Sequence, residues 1–179
     1  MLIIFDSIKT NRQTDLKRIG LLSDTHGHLD ERILHHFETC DEIWHAGDIG
    51  SIEVLQQLEA FKPVRAVYGN IDDIRVRTAV PEIQRFFCEN VDVMIKHIGG
   101  YPGRYDRSVW NEIHANPPKL FISGHSHILK VMPDKRLNLL HINPGAAGKS
   151  GLHKVRTLVR FIIDGPEIKE LEVIELEER

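Results

Sequence analysis

The sequence has few cysteines, few aromatic residues and no long hydrophobic run, and each shortage excludes a class of protein. Two cysteines, Cys40 and Cys88, cannot form a disulfide framework and show no C-x-x-C spacing, so we predict buried apolar residues. No window approaches the ~18 apolar residues of a membrane-spanning helix. The short apolar start lacks the basic and hydrophobic regions of a signal peptide. We therefore expect a cytoplasmic protein with no membrane partner.

The sequence also lacks a large excess of positive or negative charge. The chain has 23 Lys and Arg against 26 Asp and Glu, interspersed, with a net charge of −3. That balance disfavours binding along a phosphate backbone, so no stable nucleic-acid complex is expected. Histidine is abundant instead, because the 179 residues include 11 His but only three Tyr and two Trp. This surplus of imidazole points to metal ligands.

The order of apolar patterns predicts one α/β domain. Residues 1–17 are predicted to be an N-terminal extension or an extra strand, and residues 18–179 the domain. The first half alternates strand and helix patterns, and the second half is rich in hairpins, which indicates two stacked β-sheets with helices outside. We predict strands at 19–23, 42–46, 64–68, 83–88, 91–96, 120–123, 129–132, 139–143, 157–163 and 168–176, and helices at 29–37, 52–61 and 106–115.

Five polar clusters each follow an apolar strand directly. They are Ser23 to Gly27, Gly47-Asp48, Gly69-Asn70, His97, and Gly124-His125-Ser126-His127. Because ligand sites of layered α/β folds lie beyond the carboxyl ends of strands, these clusters should share one rim. Two carboxylates, four imidazoles and one amide oxygen suffice for two metal ions if one carboxylate bridges them. The predicted metal ligands are Asp24, His26, Asp48, Asn70, His97, His125 and His127.

The mixture of oxygen and nitrogen donors restricts the metal. It favours manganese, iron, zinc, cobalt or nickel over magnesium or calcium, which prefer oxygen alone, and among these we favour manganese. Two divalent ions and two carboxylates leave an excess of about two positive charges, which a bridging hydroxide reduces to about one. A phosphate ester would be attracted, and the hydroxide could attack it in line.

These motifs resemble the signature of the calcineurin-like metallophosphoesterases. The segments LLSDTHG, HAGDIG, VYGNID, FISGHSH and HINPG are similar to the small prokaryotic phosphodiesterase branch. The resemblance implies a four-layer αββα sandwich of two mixed β-sheets flanked by helices. It implies that Asp48 bridges two ions and that Asn70 also orients the phosphoryl group. The implied sets are Asp24, His26, Asp48 and His127 around one ion, and Asp48, Asn70, His97 and His125 around the other.

Two departures from the family pattern affect the expected substrate. Ile71 stands where phosphatase branches place a histidine that protonates the leaving oxygen, and His97-Ile98-Gly99 replaces a common His-Gly-His. A diester with a good leaving group needs less protonation than an alkyl monoester. We therefore predict a metal-dependent phosphodiesterase that acts on a small phosphodiester, with Asp48 and Asn70 as catalytic residues.

Alternatives remain at each level. The same fold can serve as a non-catalytic scaffold, since the eukaryotic retromer complex contains a subunit that resembles this branch. Asp24 and Asp48 alone could be capping residues, and Asn70 a turn residue. Arg104, on a glycine-rich loop after His97, is predicted to bind substrate phosphate, with an ordinary surface position as the alternative. His28 is a candidate proton donor, and a homo-oligomer is possible.

Overall fold

The computed structural model describes residues 16–176, so the predictions for residues 1–15 and 177–179 lie outside the described residues. Lys17 already belongs to the first strand. The strands are β1 Lys17–Leu22, β2 Glu42–His45, β3 Val64–Ala66, β4 Ile83–Cys88, β5 Val91–Lys96, β6 Gly100–Tyr101, β7 Arg104–Tyr105, β8 Leu120–Ile122, β9 Lys130–Asp134, β10 Leu139–Asn143, β11 Arg156–Asp164 and β12 Glu167–Leu176. The helices are α1 Glu31–His36, α2 Ile52–Phe61, α3 Ile74–Ala79 and α4 Arg107–Ala115.

Most strands form two mixed sheets of five strands each. The first sheet has the order β12-β11-β1-β2-β3, and the second has the order β4-β5-β8-β10-β9. In the first, β1, β2 and β3 are parallel, and β11 pairs antiparallel with both β1 and β12. In the second, β5, β8 and β10 are parallel and antiparallel strands flank them. The predicted α/β class is confirmed, and the charged strand β12 is an edge strand.

Three apolar cores separate four layers. One lies between the sheets and includes Trp44 and Phe161. A second packs α1, α2 and α3 on the outer face of the first sheet, and a third packs α4 on the outer face of the second. A strand between two cores is apolar on both faces, as the continuous pattern of β1 predicted. The four-layer αββα sandwich is confirmed.

Two elements differ from the prediction. Helix α3 follows β3, where no further strand-helix unit was expected, and its weak signal has a physical reason: it buries only Val76. Its start is fixed by Asp73, which accepts hydrogen bonds from the amides of Arg75 and Val76. The segment around Arg104 is not a flexible loop but a short hairpin of β6 and β7, with Gly103 at φ +84 in the turn.

The cysteine prediction is confirmed, because Cys40 and Cys88 are free and buried. Burial raises the pKa of each thiol to about 11. Across residues 16–176, none of the helices is both long enough and apolar enough to cross a membrane.

Candidate metal centre

The polar clusters meet at the carboxyl ends of parallel strands from both sheets. In the first sheet, β1 leads into Asp24 and His26, β2 leads into Asp48, and β3 leads into the turn that contains Asn70. In the second sheet, β5 leads into His97, and β8 leads into His125 and His127. The predicted common rim therefore forms where the two sheets stack.

Six of the seven predicted ligands fall into two groups whose donor atoms lie within 4.8 Å of one another in each group. Asp48 lies between the groups, with Oδ1 3.2 Å from Nε2 of His97 and Oδ2 3.9 Å from Nε2 of His26. This position suits the bridging role that the family resemblance implies. The groups are Asp24, His26 and His127, and Asp48, His97 and His125.

The histidine tautomers show that cations fit these groups. The Nδ1–H of His97 donates to the carbonyl of Ala46 at 2.8 Å, so in the neutral ring the lone pair of Nε2 faces the carboxylate of Asp48. Two acceptors that face each other repel unless a cation lies between them. Oδ1 of Asp24 and Nε2 of His97 are buried without a hydrogen-bond partner among the described residues, as expected of metal ligands.

A relay through His153 sets the same tautomer at His127. Nε2 of His153 donates to the carbonyl of Gly148 at 3.0 Å, so its Nδ1 accepts from Nδ1 of His127 at 3.2 Å. The Nε2 lone pair of His127 then points towards Oδ1 of Asp24 at 3.2 Å and lies 3.1 Å from Nε2 of His26. His153 was assigned no role from sequence, because its partner lies 26 residues away.

Negative charge is concentrated in this centre, as the pKa shifts show. Burial raises the pKa of Asp48, but the neighbouring imidazole of His97 and the hydrogen bond from the amide of Ile71 outweigh burial and hold the pKa below its usual value. Burial likewise opposes protonation of His97, yet Asp48 and Asp24 raise the pKa of His97. The pKa of His127 is raised mainly by the neighbouring carboxylate of Asp24. A carboxylate that stays ionised beside histidines that gain protons readily marks a site that attracts cations.

The backbone of the centre is strained. Five candidate ligands have a positive φ, which side chains other than glycine adopt rarely and at a cost of roughly 1 to 3 kcal/mol each. Such strain persists where surrounding contacts fix the loops and is typical of functional sites. The five are Asp24, His26, Asp48, His125 and His127.

Close packing explains the glycines that precede the ligands. Gly47 has φ +95, and a Cβ there would lie 2.6 Å from the ring of His97. Gly69 has no positive φ, but a Cβ would collide with the carboxylate of Asp48. Close packing therefore requires glycine at both positions, and the left-handed backbone is a second reason at Gly47 alone.

Buried polar groups hold the first-sheet loops together. The fully buried His45 accepts the amide of Gly47 at Nδ1, so its Nε2 donates to Thr25 at 2.9 Å, and Thr25 donates to the carbonyl of Ile49. Burial lowers the pKa of His45 to about 4, which keeps the ring neutral. His45 was assigned no site role from sequence, since a histidine within an apolar strand carries no distinguishing signal.

Asp72 connects the loops that follow β2 and β3. Its carboxylate is 4 % exposed and accepts the amides of Ile49, Gly50 and Gly69 at 3.2, 2.6 and 2.7 Å. From sequence alone, Asp72 and Asp73 could either support a ligand residue or be solvated acids of a loop. The structure assigns support of the site loops to Asp72 and helix capping to Asp73.

The remaining predicted residues line two cavities beside the centre. The Asn70 cavity, of about 460 Å³, is lined by Asn70 and His97. The Arg104 cavity, of about 420 Å³, is lined by Arg104 and His125. Both Asn70 and Arg104 are exposed. His28 bonds with Asp30, the capping residue of α1, and lines neither cavity.

The fold and this rim of carboxylates and histidines define a metallophosphoesterase type of structure, and comparison with known proteins gives the family. The family model of the calcineurin-like phosphoesterase superfamily domain matches residues 18–165. A probable metallophosphoesterase from Methanothermobacter thermautotrophicus is 32% identical over 139 residues, which cover 72% of this chain and 76% of that protein. The chain belongs to the calcineurin-like phosphoesterase superfamily.

Solved structures share the fold at low sequence identity. A structure described as a novel archaeal phosphodiesterase has a TM-score of 0.70 at 24% identity, covering 89% of this chain and 99% of that chain. A single mutant of Vps29 from Entamoeba histolytica has a TM-score of 0.69 at 17% identity, with the same coverage. A wild-type Vps29 from that organism, complexed with zinc, has a TM-score of 0.63 at 16% identity and covers 88% of this chain and 98% of that chain.

Proposed function

We propose that this protein is a dinuclear metal-dependent phosphodiesterase. The observation that supports this proposal most strongly is the pair of adjacent donor groups with Asp48 between them. Asp24, His26 and His127 would hold one ion, His97, His125 and Asn70 the other, and Asp48 would bridge them. Two divalent ions supply activation of water and charge to stabilise the phosphoryl oxygens in an in-line displacement. Manganese is the favoured ion, with nickel, iron, zinc and cobalt as the other candidates.

The side chains around the ions orient them and the substrate. Nδ1 of His97 and Nδ1 of His127 are engaged by Ala46 and His153, which keeps both Nε2 lone pairs available as donors. Asn70 borders the cavity beside His97, where its amide would orient the phosphoryl group. Among the described residues that line this cavity, no second histidine stands next to His97 as a proton donor. A diester with a good leaving group suits such a site.

The matched substrates bis-p-nitrophenyl phosphate and p-nitrophenyl phosphate test the proposal, because both release the same leaving group. Protein loaded with manganese should hydrolyse the diester, prefer it over the monoester, and lose turnover when chelated. The Asp48→Asn variant supplies the control for contaminating phosphatases. Preference for the monoester would remove the diesterase assignment, and absence of turnover of both with every candidate ion would remove the enzyme assignment.

A scaffold function is the second candidate, and exposed aliphatic residues next to the candidate ligands favour it. Ile98 follows His97 and is 36% exposed, and Ile128 follows His127 and is 58% exposed. Exposed apolar side chains around a site can contact a partner protein. Elemental analysis separates the two functions, since a protein that stays free of metal after incubation with excess manganese or nickel would act as a scaffold.

A further inference from the structure

The two cavities that flank the centre differ in free charge. Ile98 and Asp106 line both, so they form the boundary between them. In the Asn70 cavity both cationic side chains, those of Lys96 and Arg77, already have partners within the protein. Nζ of Lys96 lies 3.0 Å from the carboxylate of Glu82, and Arg77 donates to the carbonyls of Asn70 and Gly69. That cavity has two cationic and two anionic side chains and offers no excess charge.

The Arg104 cavity has three cationic side chains, Arg104, Arg107 and Lys130, against the single carboxylate of Asp106. That carboxylate is already occupied, because it accepts the amide and the hydroxyl of Ser108 at 2.8 and 2.6 Å. Within residues 16–176, none of the three cations forms an ion pair. Two positive charges therefore remain for a ligand.

Two of these cations extend from ordered strands, and the side chain of one of them has a defined contact. Arg104 lies on β7, paired with Tyr101 on β6, so the hairpin fixes its backbone. Lys130 begins β9, and its Nζ lies 4.3 Å from the ring centroid of Tyr101. Preorganised charges bind an anion at a lower entropic cost than mobile surface lysines do.

The floor of the cavity has an unsatisfied polar group. His141 is fully buried, and neither ring nitrogen has a hydrogen-bond partner among the described residues. Burial lowers its pKa to about 4, so the ring is neutral and adds nothing to the charge count. His141 therefore lines the cavity without charge, and the three cations alone carry its attraction for an anion.

We propose that the Arg104 cavity is a subsite for a second anionic group of the substrate, so that the preferred phosphodiester has one arm with its own phosphate and one uncharged arm. This inference rests on the proposed phosphodiesterase function. The anionic arm binds among Arg104, Arg107 and Lys130, and the uncharged arm occupies the Asn70 cavity. The asymmetry of charge orients the diester across the centre.

Two chromogenic diesters that differ by one phosphate test the subsite: thymidine 5′-(p-nitrophenyl phosphate) and its 3′-phosphorylated derivative. The wild type should show a kcat/KM about tenfold higher for the phosphorylated probe, as one or two charge-assisted hydrogen bonds imply, and the preference should shrink with added salt. Arg107→Gln and Lys130→Gln should each remove most of this preference. Lys135→Gln, which removes an exposed charge outside the cavity, should preserve it.

A binding measurement separates failure of the subsite from failure of the proposed function. In protein freed of metal, calorimetry should show about tenfold tighter binding of thymidine 3′,5′-bisphosphate than of thymidine 5′-monophosphate, and Lys130→Gln should equalise the two. Turnover of both diesters without preference, together with equal binding, would overturn the subsite and leave the phosphodiesterase assignment intact. Preferential binding without turnover of either diester would overturn the phosphodiesterase and retain the anion subsite.

Discussion

The two sheets make unequal contributions to the candidate metal centre. The first supplies both carboxylates, Asp24 and Asp48, and one imidazole, whereas the second supplies three imidazoles and no carboxylate. Neither sheet completes a donor group, because each group contains residues from both. The centre therefore depends on how the sheets stack, and the apolar core between them, which includes Trp44 and Phe161, sets that stacking.

The two sheets also support their ligands differently. Loops of the first sheet are held by two buried side chains, that of His45 at the end of β2 and that of Asp72 in the loop after β3. The loop with His125 and His127 in the second sheet is held by Asn143, which donates to the carbonyl of Gly124 at 2.7 Å and to the hydroxyl of Ser126 at 3.1 Å. Loss of a first-sheet group should therefore affect the carboxylates directly, while the second sheet retains its imidazoles.

The largest effect should follow Asp48→Asn, which removes the carboxylate between the two donor groups. The amide keeps the shape but loses the charge that both ions would share, so metal stoichiometry should fall below two and kcat should drop by about three orders of magnitude or more. Elemental analysis and steady-state kinetics measure the two effects. Asp73→Asn, which alters only the cap of α3, is the control. If neither variant changed the metal stoichiometry or kcat, the ligand assignment would be wrong.

Asp72→Asn should have the next largest effect. Asn replaces one acceptor oxygen with a donor that faces backbone amides, so the loops that carry Asp48 and Asn70 lose part of their support. Metal affinity should weaken about 10- to 100-fold, as found when groups behind ligands are removed. Titration with manganese measures this change. Unaltered affinity would mean that the sandwich core alone positions the loops of the first sheet.

Arg104→Ala should have a smaller effect, confined to substrate binding in the Arg104 cavity. Loss of the guanidinium should raise KM about tenfold for a diester that carries a second phosphate, at unchanged metal content, because an interaction made equally in ground and transition states appears in KM. Steady-state kinetics on two diesters measures KM, and elemental analysis measures the metal content. Loss of metal instead would show that the β6-β7 hairpin supports the centre, and unaltered kinetics would return Arg104 to the ordinary surface.

His141→Phe should have the smallest effect on the centre. It should instead change how the free energy of unfolding depends on pH. The folded-state pKa of His141 is about 4, against 6.5 for an ordinary histidine, so between these values the unfolded chain binds a proton that the folded chain does not. Stability is therefore lost as pH falls through this window, by about 3 kcal/mol for this group. Urea unfolding between pH 7 and pH 4 should show that this part of the loss is absent in His141→Phe.

A neighbouring substitution controls for packing in the His141 experiment. Phe121 packs beside His141, with ring centroids 5.6 Å apart, and binds no proton. Phe121→Leu should therefore lower the free energy of unfolding by a similar amount at every pH, without changing its slope. An unchanged slope in His141→Phe would show that His141 does not carry the proton linkage.

Much of the architecture follows from patterns local in the chain. Apolar runs such as Ile19–Leu22 and the hairpin of 83–96 have the length and alternation that specify their elements. Short elements escape such patterns, because α3 buries one side chain and β6 and β7 have two residues each. The grouping of the donors was implied by the family resemblance, and their role as metal ligands stays a prediction.

Order along the chain is enough to specify which donors gather at the rim of each sheet, since each follows a strand and parallel strands end at a common edge. It does not specify the groups behind the donors. Asp72, His45 and His153 each reach a partner 20 or more residues away. The tautomers of His97 and His127 depend on Ala46 and His153, which are likewise 20 or more residues away in the chain. Such contacts form only when the tertiary structure brings distant segments together and buries the groups, because burial is what makes each hydrogen bond obligatory.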